Sequence, residues 1–167
     1  MTDKQRRFDL TRDLTRDITR DITRDIAGDI TREVEALNVD YWYEVDRNDG
    51  RAAHEFFVPD GVFTTSARSR TGHDAIAEFY RGRQDKRVRT ARHVIANSRV
   101  VVTDDDHATV DWILVLHAAD GAPVLPSEPA IMIADVHDVC VRDASGTWKY
   151  QSRTIIAVFK SNTPTTG

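Results

Sequence analysis

The sequence predicts an α+β fold: a curved antiparallel sheet wrapped around N-terminal helices to form a cone with a pocket, preceded by a helical extension built from a tetrapeptide repeat. Three observations carry that expectation. Up to Gln84, apolar residues recur mainly at helical spacing, interrupted by one strand-like segment, VFTTSARS. After Thr90 the period changes to two over four long segments, separated by turns containing Asp, Gly or Pro. The order is helix, helix, strand, helix and then a strand meander, an arrangement that segregates helices from sheet and leaves a pocket at the open end.

Composition limits the rest. The 167 residues, 40% of them hydrophobic, suffice for one sizeable core but not for two ordinary domains. Acidic residues outnumber basic ones 27 to 23 and the two are interleaved, so the concentrated positive field of a nucleic-acid binder is missing. Cys140 is the only cysteine, which excludes an intrachain disulfide and a multi-cysteine zinc site and fits a reducing compartment. No apolar run has the length of a signal-peptide core or a bilayer span, so a soluble, cytoplasmic protein without a membrane partner is expected.

The first element is the repeat LTRDLTRDITRDITRDIAGDITREV over residues 10–34. Leu10, Leu14, Ile18, Ile22, Ile26, Ile30 and Val34 recur every four residues, so a helix carries them as a stripe drifting by about 40° per repeat. Asp13 with Arg16 and Asp17 with Arg20 pair favourably, while like charges four residues apart oppose them. Recurrent threonine and Gly28 weaken the helix further, the glycine by ~1 kcal/mol. This extension, residues 1–32, is expected to be helical or frayed. It is either an oligomerisation helix or a duplicated tetrapeptide that merely lengthens the first helix. The domain proper is expected over 33–160 and a disordered tail over 161–167.

Val34, Leu37, Tyr41 and Val45 continue the helix until NDG closes it. GRAAHEFF makes a short second helix that Pro59 breaks, and VFTTSARS comes next as a strand. GHDAIAEFYRGRQ returns to helix with Ile76, Phe79 and Tyr80 on its buried side. Alternation then groups His93, Ile95 and Asn97 on one face of the first long strand, and Asp111, Ile113, Val115 and His117 opposite Val110, Trp112, Leu114 and Leu116 on the second. The last strand sets Trp148, Tyr150, Ser152 and Thr154 against Lys149, Gln151, Arg153 and Ile155.

Within RTARHVIANS, His93 can exchange a proton near neutral pH when a carboxylate orients its second ring nitrogen. YWYEVDRND supplies Asp46, with Tyr43 near it on the helix surface and Tyr41 rotated away by more than a right angle. From spacing alone, a strand histidine held by a core partner explains the pattern as well as an active site does.

The helix NVDYWYEVDRNDGRAAHEFFVPDGVF, the TGHDAIAEFY helix, RTARHVIANSRVVV and DASGTWKYQSRTIIAVF together resemble the SnoaL-like, scytalone dehydratase-like branch of the nuclear-transport-factor-two-like superfamily, over residues 33–160. The resemblance implies a catalytic set of Tyr41, Asp46 and His93, with His117 and Tyr43 as the second histidine and tyrosine. Asn97 and Arg153 fall at cavity-lining positions, and His137-Asp138 replaces a more usual tyrosine before aspartate. The activity so implied is that of a cofactor-independent dehydratase, isomerase or cyclase acting on a hydrophobic polyketide-, terpenoid- or steroid-like molecule. In it, His93 removes a proton beside a carbonyl and a tyrosine stabilises the enolate or protonates a departing hydroxyl.

Other readings stand beside this one. His93, His107, His117 and His137 with Asp111, Asp135 and Asp138 form no close ligand motif, so no metal is expected. A non-catalytic ligand-binding or assembly subunit, such as a ring-hydroxylating dioxygenase β-type subunit, would use the same pocket or the outer sheet face. A homodimer is expected through that face, with Val110, Trp112 and Leu114 as its apolar patch. The basic stretches RSRTGHD and GRQDKRVR near the mouth suit an anionic or carrier-bound substrate, or are solvated loops.

Overall fold

The computed structural model describes residues 3–66, 68–84 and 88–165; within GRQDKRVR, residues 85–87 lie outside them. The first helix, α1, runs unbroken over Asp3–Arg47, 45 residues. Ile18, Ile22 and Ile26 are exposed, whereas Ile30 and Val34 are buried, so over the positions whose side chains are described the drifting stripe meets the core from Ile30 onward; Leu10 and Leu14 lie outside them. The hydroxyls of Thr19, Thr23 and Thr31 each donate to the carbonyl four residues earlier, which keeps these poor helix formers inside the ladder.

The helix ends where Asp49 and Gly50 adopt positive φ, 57° and 69°. Glu44 fixes this corner: its carbonyl accepts from the N–H groups of Asn48 and Gly50, and its carboxylate accepts from Ala52 N–H at 2.7 Å. A 3-10 turn at Ala53–Phe56 takes the place of the second short helix. It leads into β1 (Phe57–Thr65), β2 (Arg68–Thr71) and α2 (His73–Gln84). The meander then runs through β3 (Arg89–Asp104), β4 (His107–Asp120), β5 (Met132–Arg142) and β6 (Trp148–Lys160).

The strands form one sheet in the order β2-β1-β6-β5-β4-β3. The expectation of a purely antiparallel sheet needs one correction, because β1 lies parallel to β6. The concave face carries Ala108, Val110, Trp112, Leu114 and Leu116 of β4, all buried, with Ala134 and Val136 of β5 beside them. Val110, Trp112 and Leu114 therefore belong to the core and are not an outer apolar patch. The outer face instead presents Ile113 and Val115.

Two irregularities break strict alternation. At Asn97 (φ 52°) the β3–β4 register shifts between Ala96 and Arg99, so Asn97 is exposed and does not follow His93 and Ile95 onto the concave face. In β6 a shift opposite Val139 and Cys140 turns Tyr150, Arg153 and Ile155 all inward. Beyond β6, residues 161–165 form no helix or strand; Ser161 N–H donates to Ile131 O at 2.9 Å, and Arg89 donates to Pro164 O. Among the described residues, no helix is long and apolar enough to cross a membrane.

Candidate active site

The last turn of α1 lies across β3, and the spacing of four between Trp42 and Asp46 aims both at the same strand. Asp46 grips His93 twice. One carboxylate oxygen accepts the His93 backbone N–H at 2.9 Å, and the other meets the ring Nδ1 at 2.6 Å. Both side chains are over nine-tenths buried, at 6% exposure for His93 and 9% for Asp46. The indole of Trp42 stacks on the imidazole with centroids 4.0 Å apart and planes 17° from parallel. With Nδ1–H held by the carboxylate, the neutral ring carries its basic lone pair on Nε2.

That ring borders a cavity of about 150 Å³. Its walls are mainly apolar: Trp42, Phe63, Phe79, Leu114, Leu116 and Ile155, with Tyr80 as the phenol among them. Trp42 Nε1 is buried and has no protein acceptor among the described residues.

Tyr41 lies elsewhere. It is fully buried and does not line the cavity, but its hydroxyl bonds that of Tyr80, which does. Burial, reinforced by the neighbouring Tyr80, raises the Tyr41 pKa well above the usual phenol range, so it remains a proton-bearing hydroxyl. Arg153 is also fully buried, is not among the residues lining the His93 cavity, and keeps one guanidinium nitrogen, Nη1, without a hydrogen-bond partner among the described residues. Its Nε and Nη2 donate to the two Asp138 oxygens at 2.8 and 2.7 Å, and Nη2 also reaches Asn38 at 2.7 Å. The guanidinium lies 4.4 Å from the Tyr41 ring and 4.0 Å from that of Tyr150. Burial, the largest single influence, lowers its pKa, but the Asp138 carboxylate together with the neighbouring Tyr150 and Tyr41 raises it well above the normal value.

The remaining expected positions do not reach the cavity. Tyr43 is 68% exposed on α1. His117 lies on the opposite face of β4 from Leu116, near Glu128 O at 3.3 Å, beside a separate hollow of about 310 Å³. His137 is on the outer face too, paired with Asp111 at 2.7 Å. Asn97 is turned away by the bulge after Ala96. Among the described residues, no group of three or more His, Cys, Asp or Glu side chains is arranged to hold a metal. Cys140 is buried, and burial pushes its thiol up to about 12, which leaves no thiolate nucleophile near neutral pH.

A helix laid over a curved mixed sheet, with a histidine-bearing apolar cavity between them, is an α+β architecture of the cystatin-like fold. A family model for the SnoaL-like domain matches residues 29–154, and the chain belongs to that family. Solved structures agree on the fold. A candidate scytalone dehydratase from Novosphingobium aromaticivorans is 20% identical, with TM-score 0.72, covering 84% of this chain and 91% of its own. ActVI-ORFA from Streptomyces coelicolor is 20% identical, with TM-score 0.68 and coverage of 77% and 97%. An NTF2-like protein with a cystatin-like fold, also from Novosphingobium aromaticivorans, is 20% identical, with TM-score 0.66 and coverage of 86% and 92%. No curated protein matches the sequence.

Proposed function

We propose that this protein is a cofactor-independent acid/base enzyme of the dehydratase, isomerase or cyclase type, working in the cytoplasm on a small hydrophobic carbonyl compound. The observation that carries the reading is the double grip of Asp46 on His93 at the wall of an apolar cavity. A carboxylate that binds both the ring and the strand amide fixes tautomer and orientation together, which is what a general base requires. The base removes a proton beside the carbonyl, and the electron pair moves onto the carbonyl oxygen. Trp42 Nε1–H, buried without a protein acceptor among the described residues, and the Tyr80 hydroxyl are the donors suited to that oxygen. Tyr41 supports Tyr80 from behind, a role different from the direct contact that the resemblance implies. Tyr43, His117, Asn97, Arg153 and His137 have no part in this scheme.

Cavity size narrows the substrate. About 150 Å³ is the volume of a cavity that accepts one benzene ring, well below the 300–1,000 Å³ of typical drug-sized pockets. One ring, or a chain of similar bulk, therefore suits the site better than a four-ring steroid or a large polyketide.

The test is exchange of α-protons of a one-ring ketone such as 4-phenylbutan-2-one in D₂O, followed by proton NMR. His93→Ala and Asp46→Asn are each expected to slow exchange by roughly 10²–10⁴-fold while circular dichroism stays native. Unchanged exchange in both folded variants overturns the assignment. Copurification with a large catalytic partner, without activity of its own, would favour an assembly subunit instead.

The same proposal includes a homodimer. Val94, Val115, Ile133 and Phe159 are consecutive cross-strand partners over four strands on the outer face, with Ile113 and Ile156 in the next row. Val94, Ile156 and Phe159 are 47%, 59% and 66% exposed; the first row is an unbroken apolar strip that suits a second copy, while the exposed Asp135 separates Ile113 from Ile156 in the next.

A further inference from the structure

We propose that the cavity selects an anion: a one-ring molecule whose carboxylate is held at the mouth by Lys160 while its reactive end lies against His93. The reacting end rests on the proposed role of His93; the anionic end does not.

Strand pairing supplies the geometry. His93 pairs with Leu116, Leu116 with Met132, and Met132 with Lys160, so four cross-strand neighbours form one row over β3, β4, β5 and β6. All four line the cavity. Three strand spacings separate the ends of the row by about 14 Å at the backbone. Both end side chains reach inward from there, which leaves the span of a ring with a short acid chain hydrogen-bonded at each end.

Charge points the same way. The chain has a net charge of −4, yet among the described residues the lining of this cavity includes a lysine and no carboxylate. Lys160 has no carboxylate partner among the described residues, and the hydroxyls of Thr65 and Ser66 lie on the same lining. A second cation is close by. The Arg70 guanidinium lies 4.0 Å over the ring of Phe79, and its Nη1 is 3.5 Å from Thr65 Oγ1; both partners are lining residues. An apolar hollow with a base at one end and, among the described residues, cations without a carboxylate partner at the other complements an amphipathic acid, because the ring is desolvated while the carboxylate stays partly hydrated at the rim.

The experiment compares 3-phenylpropanoate with its uncharged isostere 3-phenylpropanamide, titrated against the full chain by calorimetry and by tryptophan fluorescence. The acid is expected to bind at least about fivefold tighter than the amide at low salt, with the preference shrinking as salt rises. Lys160→Met should erase the preference while holding amide affinity within about twofold, and Lys160→Glu should reverse it. His93→Ala should retain it. Equal binding of the two probes by the unaltered protein, binding of neither up to about 10 mM, or a preference lost in His93→Ala but kept in Lys160→Met overturns the proposal. These readouts need no turnover, so the anion site can fail while the acid/base reading stands, and the reverse.

Discussion

At the residue scale, two buried side chains have meanings opposite to those their positions suggest. Arg153 looks like a ligand contact when read by position, but the β6 bulge turns it inward, where Asp138 and Asn38 bind it and Trp112 Nε1–H donates to the same Asp138 carboxylate at 2.8 Å. Arg153→Ala should destabilise the fold by about 3–5 kcal/mol in chemical denaturation, because it strands a buried carboxylate. Replacing both partners, Arg153→Met with Asp138→Leu, should recover most of that loss. Trp42 is the complementary case, a core-looking aromatic with a chemical part in the proposed reaction. Trp42→Phe keeps a ring against His93 but removes the donor, and is expected to slow α-proton exchange by about 10²-fold with the unfolding midpoint little changed.

At the element scale, the corner after α1 sets the site. An added Cβ at Gly50 would sit 2.3 Å from the Tyr80 ring, at a positive φ that also disfavours a side chain. Gly50→Ala should therefore cost about 1–3 kcal/mol and push Tyr80 toward the cavity, which thermal unfolding and weaker binding of a one-ring ketone would register. Much of this element structure is legible in the sequence: the helix to the NDG corner, α2 and the four-strand meander; Asp46 and His93 are set together by the resemblance and not by spacing. Spacing does set Tyr41 well around the helix from Asp46, and it indeed packs away from the His93 pair, where the resemblance alone puts all three together. Trp42 is readable too, since it stands four residues before Asp46. Asn97 and Arg153 are not, because one extra residue in a strand reverses every later side chain and periodicity carries no sign of it. Lys160 joins the His93 row only through three successive registers, none of which is local information.

At the scale of the whole molecule, the proposed dimer makes a direct prediction. Val115→Arg places a charge in the middle of the outer apolar strip and should shift sedimentation from dimer to monomer while leaving the fold intact; a dimer that persists would move the interface elsewhere, with the exposed stripe of α1 the next surface to probe. The sheet also ends at β3, whose outer flank has no neighbouring strand among the described residues. Asp46 fills part of that flank when it accepts the His93 amide. The carboxylate is therefore a guard against sticky edge-to-edge stacking of chains as well as a clamp on a ring. A variant that loses it altogether will tend to polymerise along this rim, so its solubility must be followed at several concentrations before any lost activity is ascribed to proton transfer.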